Sequence, residues 1–127
     1  MRFPDAESNT IELKQALPQN DQVIKTIIGF CNQHGGKLIV GVANDRSIIG
    51  LTEKEIECAM EALDLSIYDA CTPHIIPRLY AQRLGEKTIL VIEVLEGMNK
   101  PYYRRSEGVE KGTYIRLGRH TLRATPD

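Results

Sequence analysis

The chain has 127 residues, 16 Lys and Arg against 17 Asp and Glu, a formal net charge of -1, and 42% hydrophobic with 26% charged residues. This is the size and composition of one ordinary globular domain with a real core, which excludes intrinsic disorder. No apolar run reaches the roughly 18–20 residues of a membrane span, no signal-peptide apolar region follows Met1, and a charge near zero excludes a uniformly basic coat.

Asn9 to Lys14 alternate polar and apolar residues, the pattern of a short half-buried strand. Pro18, Gln19 and Asn20 then break the chain, and Asp21 is a suitable N-cap for a helix. Val23, Ile24, Ile27, Ile28 and Cys31 form one apolar stripe at helical spacing. The helix is predicted to stop near Asn32, where Gly35-Gly36 supplies the backbone freedom of a C-terminal turn. Asn32 itself is read as closing that helix end.

Leu38-Ile39-Val40-Gly41-Val42 reads as a central strand, Asn44 to Ser47 as a turn, and Ile48 to Leu51 as a short return strand. Thr52 and Glu55 match a capping box. Ile56, Ala59, Met60 and Leu63 define a second helix, whose outer face carries Glu53, Glu57, Glu61 and Asp64 as a solvated surface. Ile75 to Leu84 and Lys87 to Val94 flank Gly85-Glu86 as a hairpin. Thr113 to Leu117 form a last strand, with Thr113, Ile115 and Leu117 on one face. The simplest assembly is a single α+β domain spanning residues 1–127, with a mixed or antiparallel sheet and two principal helices.

Cys31, Cys58 and Cys71 are an odd set without paired spacing, which points to a reducing cytoplasm. Cys31 and Cys58 fall on apolar helical faces as small core residues. Cys71 and His74 have the spacing of half a metal site, but no second pair completes it.

Charge is uneven. From Lys100 onward seven bases (Lys100, Arg104, Arg105, Lys111, Arg116, Arg119, Arg123) face Glu107, Glu110 and Asp127, an excess of +4. The first 99 residues hold nine bases and 14 acids, an excess of -5. Such asymmetry marks a local anion-binding face, and Tyr102 and Tyr103 put stacking surface beside Arg104 and Arg105. The alternative is a solvated strand and tail with no partner. Glu7 and Glu12, with Asp45 further on, could gather a Mg or Mn ion and activate water for phosphodiester cleavage. Neither a phosphate loop nor a dinucleotide glycine motif occurs.

Several segments together resemble one family. Glu7-Ser8-Asn9-Thr10-Ile11-Glu12-Leu13-Lys14 is similar to the opening E-S-x-x-x-E-[FY]-K signature of the Schlafen/AlbA-like domain. Ile27 to Val42, containing Asn32 and Gly35-Gly36-Lys37-Leu38, resembles that family's A-F-A-N-x-x-G-G-x-L-x-I-G-V segment, and Ile49-Gly50-Leu51 follows in place. Lys100-Pro101-Tyr102-Tyr103 and Gly112-Thr113-Tyr114-Ile115-Arg116-Leu117-Gly118 resemble its closing elements. The resemblance covers residues 7–124. It implies an AlbA-like α+β domain found in the N-terminal part of bacterial transcriptional regulators and ATP-dependent helicase-related proteins, where it is described as DNA-binding and, in older descriptions, ATP-binding.

Carried over residue by residue, the acids of the RNA-cleaving relatives fall on Glu7 and Glu12, while the third position falls on Asn44, with Asp45 one place later. Arg119-His120 departs from the small polar residues usual after the glycine and adds positive character there. The leading expectation is a non-enzymatic nucleic-acid-binding module needing no cofactor, DNA rather than RNA. Arg104, Arg105, Arg116, Arg119, His120 and Arg123 would face phosphates, with Lys14 at the strand edge and Tyr102 or Tyr103 stacking on a base or sugar. The alternatives are a divalent-cation nuclease using Glu7, Glu12 and Asp45, an ATP-binding domain, and a domain that dimerises through an edge strand.

Overall fold

Three stretches with alternating or continuous apolar character build the first half of the sheet and its first helix. β1 (Ile11–Lys14) leads through a polar loop into α1 (Asn20–Cys31), and the chain returns as β2 (Gly36–Val40), parallel to β1. The computed structural model describes residues 1–124, so that Asp127, one of the C-terminal acids, lies outside the described residues. The α1 stripe is buried as its spacing predicts. Val23, Ile24, Ile27, Ile28 and Phe30 are all fully enclosed, each worth roughly 1.5–3 kcal/mol as buried apolar side chain. Gln19, not Asp21, occupies the N-cap position, because Asp21 sits in the first turn, bonded to Lys25 at 3.0 Å and to Arg104.

Gly35 and Gly36 perform the hand-over from α1 to β2 for two different reasons. Gly35 has φ +77, and a Cβ there would lie 2.7 Å from the Val94 carbonyl oxygen. A Cβ on Gly36 would lie 2.6 Å from the Phe30 ring, so this glycine leaves room for the last core residue of α1.

After β2 the chain bends out of the sheet at Gly41, whose φ is +108. The predicted return strand over Ile48 to Leu51 is therefore absent. Val42 and Ile48 make one isolated bridge, and the Ile49 and Gly50 amides both bond the Gly41 carbonyl. α2 (Glu53–Ala70) starts at the predicted capping box: the Glu55 amide donates to Thr52 Oγ1 at 3.1 Å and the Thr52 amide to Glu55 Oε1 at 2.8 Å. Ile56, Ala59, Leu63 and Ile67 face the core and Met60 is half-buried, whereas Cys58, expected in the core, is exposed.

β3 (Cys71–Thr72) follows directly. β4 (Arg78–Leu84) and β5 (Lys87–Val94) form the expected hairpin around Gly85-Glu86, the first arm starting three residues later than predicted, just after Pro77. β5 also pairs antiparallel with β2, giving a mixed sheet of order β1-β2-β5-β4. One face packs on α1 and α2; the other is closed by Phe3 and Ile48 over Leu13, Ile39 and Val91. β6 (Tyr103–Arg104) pairs with β3, α3 (Gly108–Gly112) is a single short turn of helix, and β7 (Tyr114–Leu117) pairs with β8 (His120–Arg123), a strand the sequence pattern did not suggest.

The face of β7 is reversed relative to its apolar alternation. Tyr114 and Arg116 point inward and are 4% and 1% exposed, whereas Ile115 is half-buried and Leu117 is 62% exposed. Among the described residues no helix is long and apolar enough to cross a membrane.

Candidate functional site

The first motif curls so that its acids approach each other. Glu7 Oε2 accepts from the Leu13 amide at 3.0 Å, and Ser8 Oγ from the Thr10 amide at 3.1 Å. Glu12 lies in β1 at a position whose period-2 pattern reads as outward, yet it is only 8% exposed because the β7–β8 hairpin covers it. The cover is Arg116. Its Nη1 donates to Glu12 Oε1 at 2.8 Å and Thr121 Oγ1 at 3.0 Å, and its Nη2 to the Ser8 carbonyl at 2.7 Å. The guanidinium also packs over the Phe30 ring, 5.0 Å from its centre, while its Nε has no hydrogen-bond partner.

The hairpin reaches this position because α1 lets it come close. A Cβ on Gly29 would lie 3.3 Å from the Ile115 backbone carbon. At the end of α1, Asn32 Nδ2 donates to the carbonyls of Tyr102 and Tyr114, each at 2.8 Å, and Asn32 Oδ1 accepts from the Tyr102 amide. Gln33 Oε1 accepts from the Arg116 amide at 3.1 Å. Asn32 thus fastens the residue before β6 and the first residue of β7 to the helix, a larger role than closing its end.

Burial and the adjacent Glu7 carboxylate push Glu12 up to about 7, outweighing the Arg116 guanidinium, which acts in the opposite direction. Burial opposes ionisation of Glu7 too, but hydrogen bonding to Glu12 and the Leu13 amide, with the charges of Lys14 and Arg119, holds it below the usual carboxylate range. The two carboxyls are therefore pushed in opposite directions, Glu7 below and Glu12 above the ordinary carboxylate range.

A cleft of about 480 Å³ opens above this pair. Lys14 from β1, Arg119 from the β7–β8 turn and His120 from β8 stand around it, with the polar side chains of Gln22, Asn44 and Thr121. Among the described residues, none of Lys14, Arg119 and His120 takes part in an ion pair.

Of the other basic residues of the C-terminal stretch, Lys100, Arg104, Arg116 and Arg123 are held in ion pairs, whereas Arg105 and the exposed Lys111 form none among the described residues and do not line the cleft. Arg104 pairs with Asp21 and lies 3.8 Å from Glu107, and Arg123 pairs with Glu107 at 2.9 Å and with the Tyr114 hydroxyl at 3.1 Å. Lys100 pairs with Glu96 at 2.8 Å. Arg105 lies beside Thr72 and His74, away from the cleft lining. Two expected nucleic-acid contacts are corrected by burial. Arg116 is enclosed and holds Glu12, and Tyr102 is 6% exposed, its ring filling the space above Gly97 and its hydroxyl accepting from the Asn99 amide at 3.2 Å.

The expected nuclease triad does not assemble. Asp45 sits in an exposed turn where its Oδ1 accepts from the Ser47 amide at 2.9 Å, its carbonyl binds the Arg2 guanidinium, and hydrogen bonding to Ser47 holds its carboxyl low. Asn44, not Asp45, lines the cleft. With Glu12 committed to Arg116 and a neutral amide in the third place, the donor set does not fit a resident divalent cation. Among the described residues no group of three His, Cys, Asp or Glu side chains is placed to hold a metal. His74 is likewise occupied, stacked on Tyr68 at 4.1 Å.

Glu7, Glu12, Lys14, Arg119 and His120 at this cleft are all legible in the sequence as site candidates, and Asn44 falls two residues after the Gly41-Val42 pair. Gln22 and Thr121 carry no signal beyond an ordinary polar residue on a helix and a strand.

A four-stranded mixed sheet backed by two helices, with a basic hairpin docked over the first motif, defines a small α+β domain class that recurs in solved structures. The N-terminal domain of a RecG-related protein from Nitrosomonas europaea, named for its relation to ATP-dependent DNA helicases, superposes with a TM-score of 0.64 and 26% identity, over 95% of this chain and 86% of that one. The DIP2311 protein of Corynebacterium diphtheriae superposes with a TM-score of 0.65 and 21% identity over 91% of this chain, which spans 22% of that protein's length. The chain belongs to the Schlafen AlbA_2 family, whose description matches residues 7–125. No curated protein matches it.

Proposed function

We propose that this domain binds nucleic acid through its sugar–phosphate backbone, as a DNA-binding module of a regulator or helicase-related protein. The observation that carries this reading is the trio Lys14, Arg119 and His120, whose side chains surround one polar cleft while Lys100, Arg104, Arg116 and Arg123 of the C-terminal stretch are held in internal ion pairs. Guanidinium and ammonium groups not closed into an ion pair attract phosphates, and releasing the nucleic acid's condensed counter-ions drives association. Gln22, Asn44 and Thr121 add neutral donors and acceptors for sugar and phosphate oxygens.

Membership in a family with a RecG-related structural neighbour supports the same reading. The test is a salt-series binding assay on duplex DNA, single-stranded DNA and RNA side by side. With two or three phosphate contacts, the logarithm of affinity falls against the logarithm of salt with a slope of about -2 to -3 on duplex DNA. Salt-independent binding, or none at millimolar protein, refutes the proposal. Cleavage of RNA on adding Mn²⁺ would instead favour the nuclease alternative.

A further inference from the structure

We propose that the groove between α2 and the loop joining β1 to α1 is a docking site for an amphipathic helix with a Lys- and Arg-rich polar face. α2 covers the core with Ile56, Ala59, Leu63 and Ile67, but it carries a second apolar stripe on the outside. Cys58, Ala62 and Leu65 follow at i, i+4 and i+7, and all three are exposed, Leu65 to 71%. Beside this stripe opens a groove of about 370 Å³, walled by Leu17, Cys58 and Ala62 and floored by Val40, Leu51 and Leu90. A concave apolar strip of this kind takes large side chains spaced along one face of a helix.

The charge around it selects the partner. α2 holds six acids, Glu53, Glu55, Glu57, Glu61, Asp64 and Asp69, against Lys54 alone, so the whole negative excess of the first 99 residues sits on this helix. Glu55 belongs to the capping box, and among the described residues none of the six forms an ion pair. Glu53, Glu57 and Glu61 repeat at i, i+4, a like-charge spacing that weakens an isolated helix. Glu61, Asp64 and Asp69 lie beyond the first turn, where the helix dipole no longer favours acids. This arrangement is relieved by a basic partner. A second copy of this chain across a two-fold axis would set acid against acid, and nucleic acid would be repelled. The groove shares no lining residue with the cleft above Glu7 and Glu12, so both can be filled together.

Cys58 makes the test direct, because its thiol is exposed at the groove while Cys31 and Cys71 are buried. The rate of maleimide addition to Cys58 is measured with a synthetic Leu/Lys amphipathic helix and with its Leu/Glu counterpart. The Leu/Lys peptide slows modification about tenfold once its concentration exceeds its dissociation constant tenfold, and the Leu/Glu peptide leaves it unchanged. Ala62→Arg, at an exposed position, abolishes the protection without changing the circular dichroism melt. Paired Glu57→Lys and Glu61→Lys weakens it while leaving the groove's shape intact. Equal protection by both peptides, none by either, or protection that survives Ala62→Arg overturns the proposal. Protection that grows with protein concentration in the absence of peptide overturns it in favour of a second copy.

Discussion

Arg116 and Glu12 meet as a buried ion pair at 2.8 Å, joining β7 to β1 across 104 residues of chain. The pair decides how the cleft is built: it draws the hairpin bearing Arg119 and His120 over the first motif and holds Glu12 in the cleft floor. A buried charge that loses its partner is costly, whereas exchange of both groups is much less so. Arg116→Ala is expected to destabilise the domain by about 3–5 kcal/mol in urea unfolding. Glu12→Gln keeps an acceptor for Nη1 and costs less. In a double-mutant cycle the two changes are non-additive by about 1–3 kcal/mol; additive losses would show that the pair is not a unit.

Glu12 also sets a pH dependence. Its folded value is raised from the ordinary 4.5 to about 7, first by burial and then by Glu7. A carboxyl raised in the folded state contributes stability that is complete below pH 4.5 and is lost as pH rises through 7. Unfolding free energy is expected to fall across that window by on the order of 2 kcal/mol from this group, and Glu12→Gln flattens the decline. Glu7, held low, acts in the opposite sense, its contribution disappearing as pH falls below the ordinary carboxylate range. A profile unchanged by Glu12→Gln would assign the proton elsewhere.

Asn32 carries a prediction of different character, because its amide uses both donor and acceptor. Its Nδ2 serves two carbonyls while its Oδ1 takes the Tyr102 amide. Asn32→Ala leaves these half-buried backbone groups unmet and is expected to cost about 2–3 kcal/mol. Asn32→Asp, nearly identical in shape, should be no better, since it sets a carboxylate against two carbonyl oxygens. Thermal unfolding of the two variants checks this, and an Asp variant as stable as the unaltered protein would contradict it.

Glu7 separates two readings of the cleft. As the ionised carboxylate beside Lys14 and Arg119 it opposes phosphate, so Glu7→Gln is expected to tighten nucleic-acid binding by about 0.5–1 kcal/mol, a screened interaction near the surface. The amide oxygen still accepts from the Leu13 amide. Fluorescence anisotropy with labelled DNA measures the change; weakened binding would mean that the carboxylate itself engages the ligand.

Much of this architecture is legible along the chain. The α1 stripe, the Thr52–Glu55 cap and the β4–β5 hairpin are local patterns, and they fold as their spacing says. The reading of β7 fails because its inward residue is a charge. Ile115 and Leu117 mark an apolar face, but Arg116 turns inward to meet Glu12, a partner invisible to any local window. The basic C-terminal stretch misleads for the same reason. Arg104 finds Asp21 83 residues away, so linear charge overstates the free positive surface. Glu7 and Glu12 are legible as a pair because one short motif holds both. Gln22 and Thr121 reach the cleft only through the crossing of α1 and the hairpin. The Ile48 to Leu51 strand is lost to the backbone bend at Gly41.

On the proposed function, Lys14, Arg119 and His120 at the cleft meet phosphate while the paired arginines do not. The most direct measurement is the salt dependence of duplex-DNA affinity for Arg119→Ala against Arg104→Ala. Arg119→Ala is expected to reduce the slope by about 1 and to weaken binding alike for every DNA sequence, while Arg104→Ala leaves the slope unchanged. Equal slopes for Arg119→Ala and the unaltered protein, or a loss confined to Arg104→Ala, would contradict it.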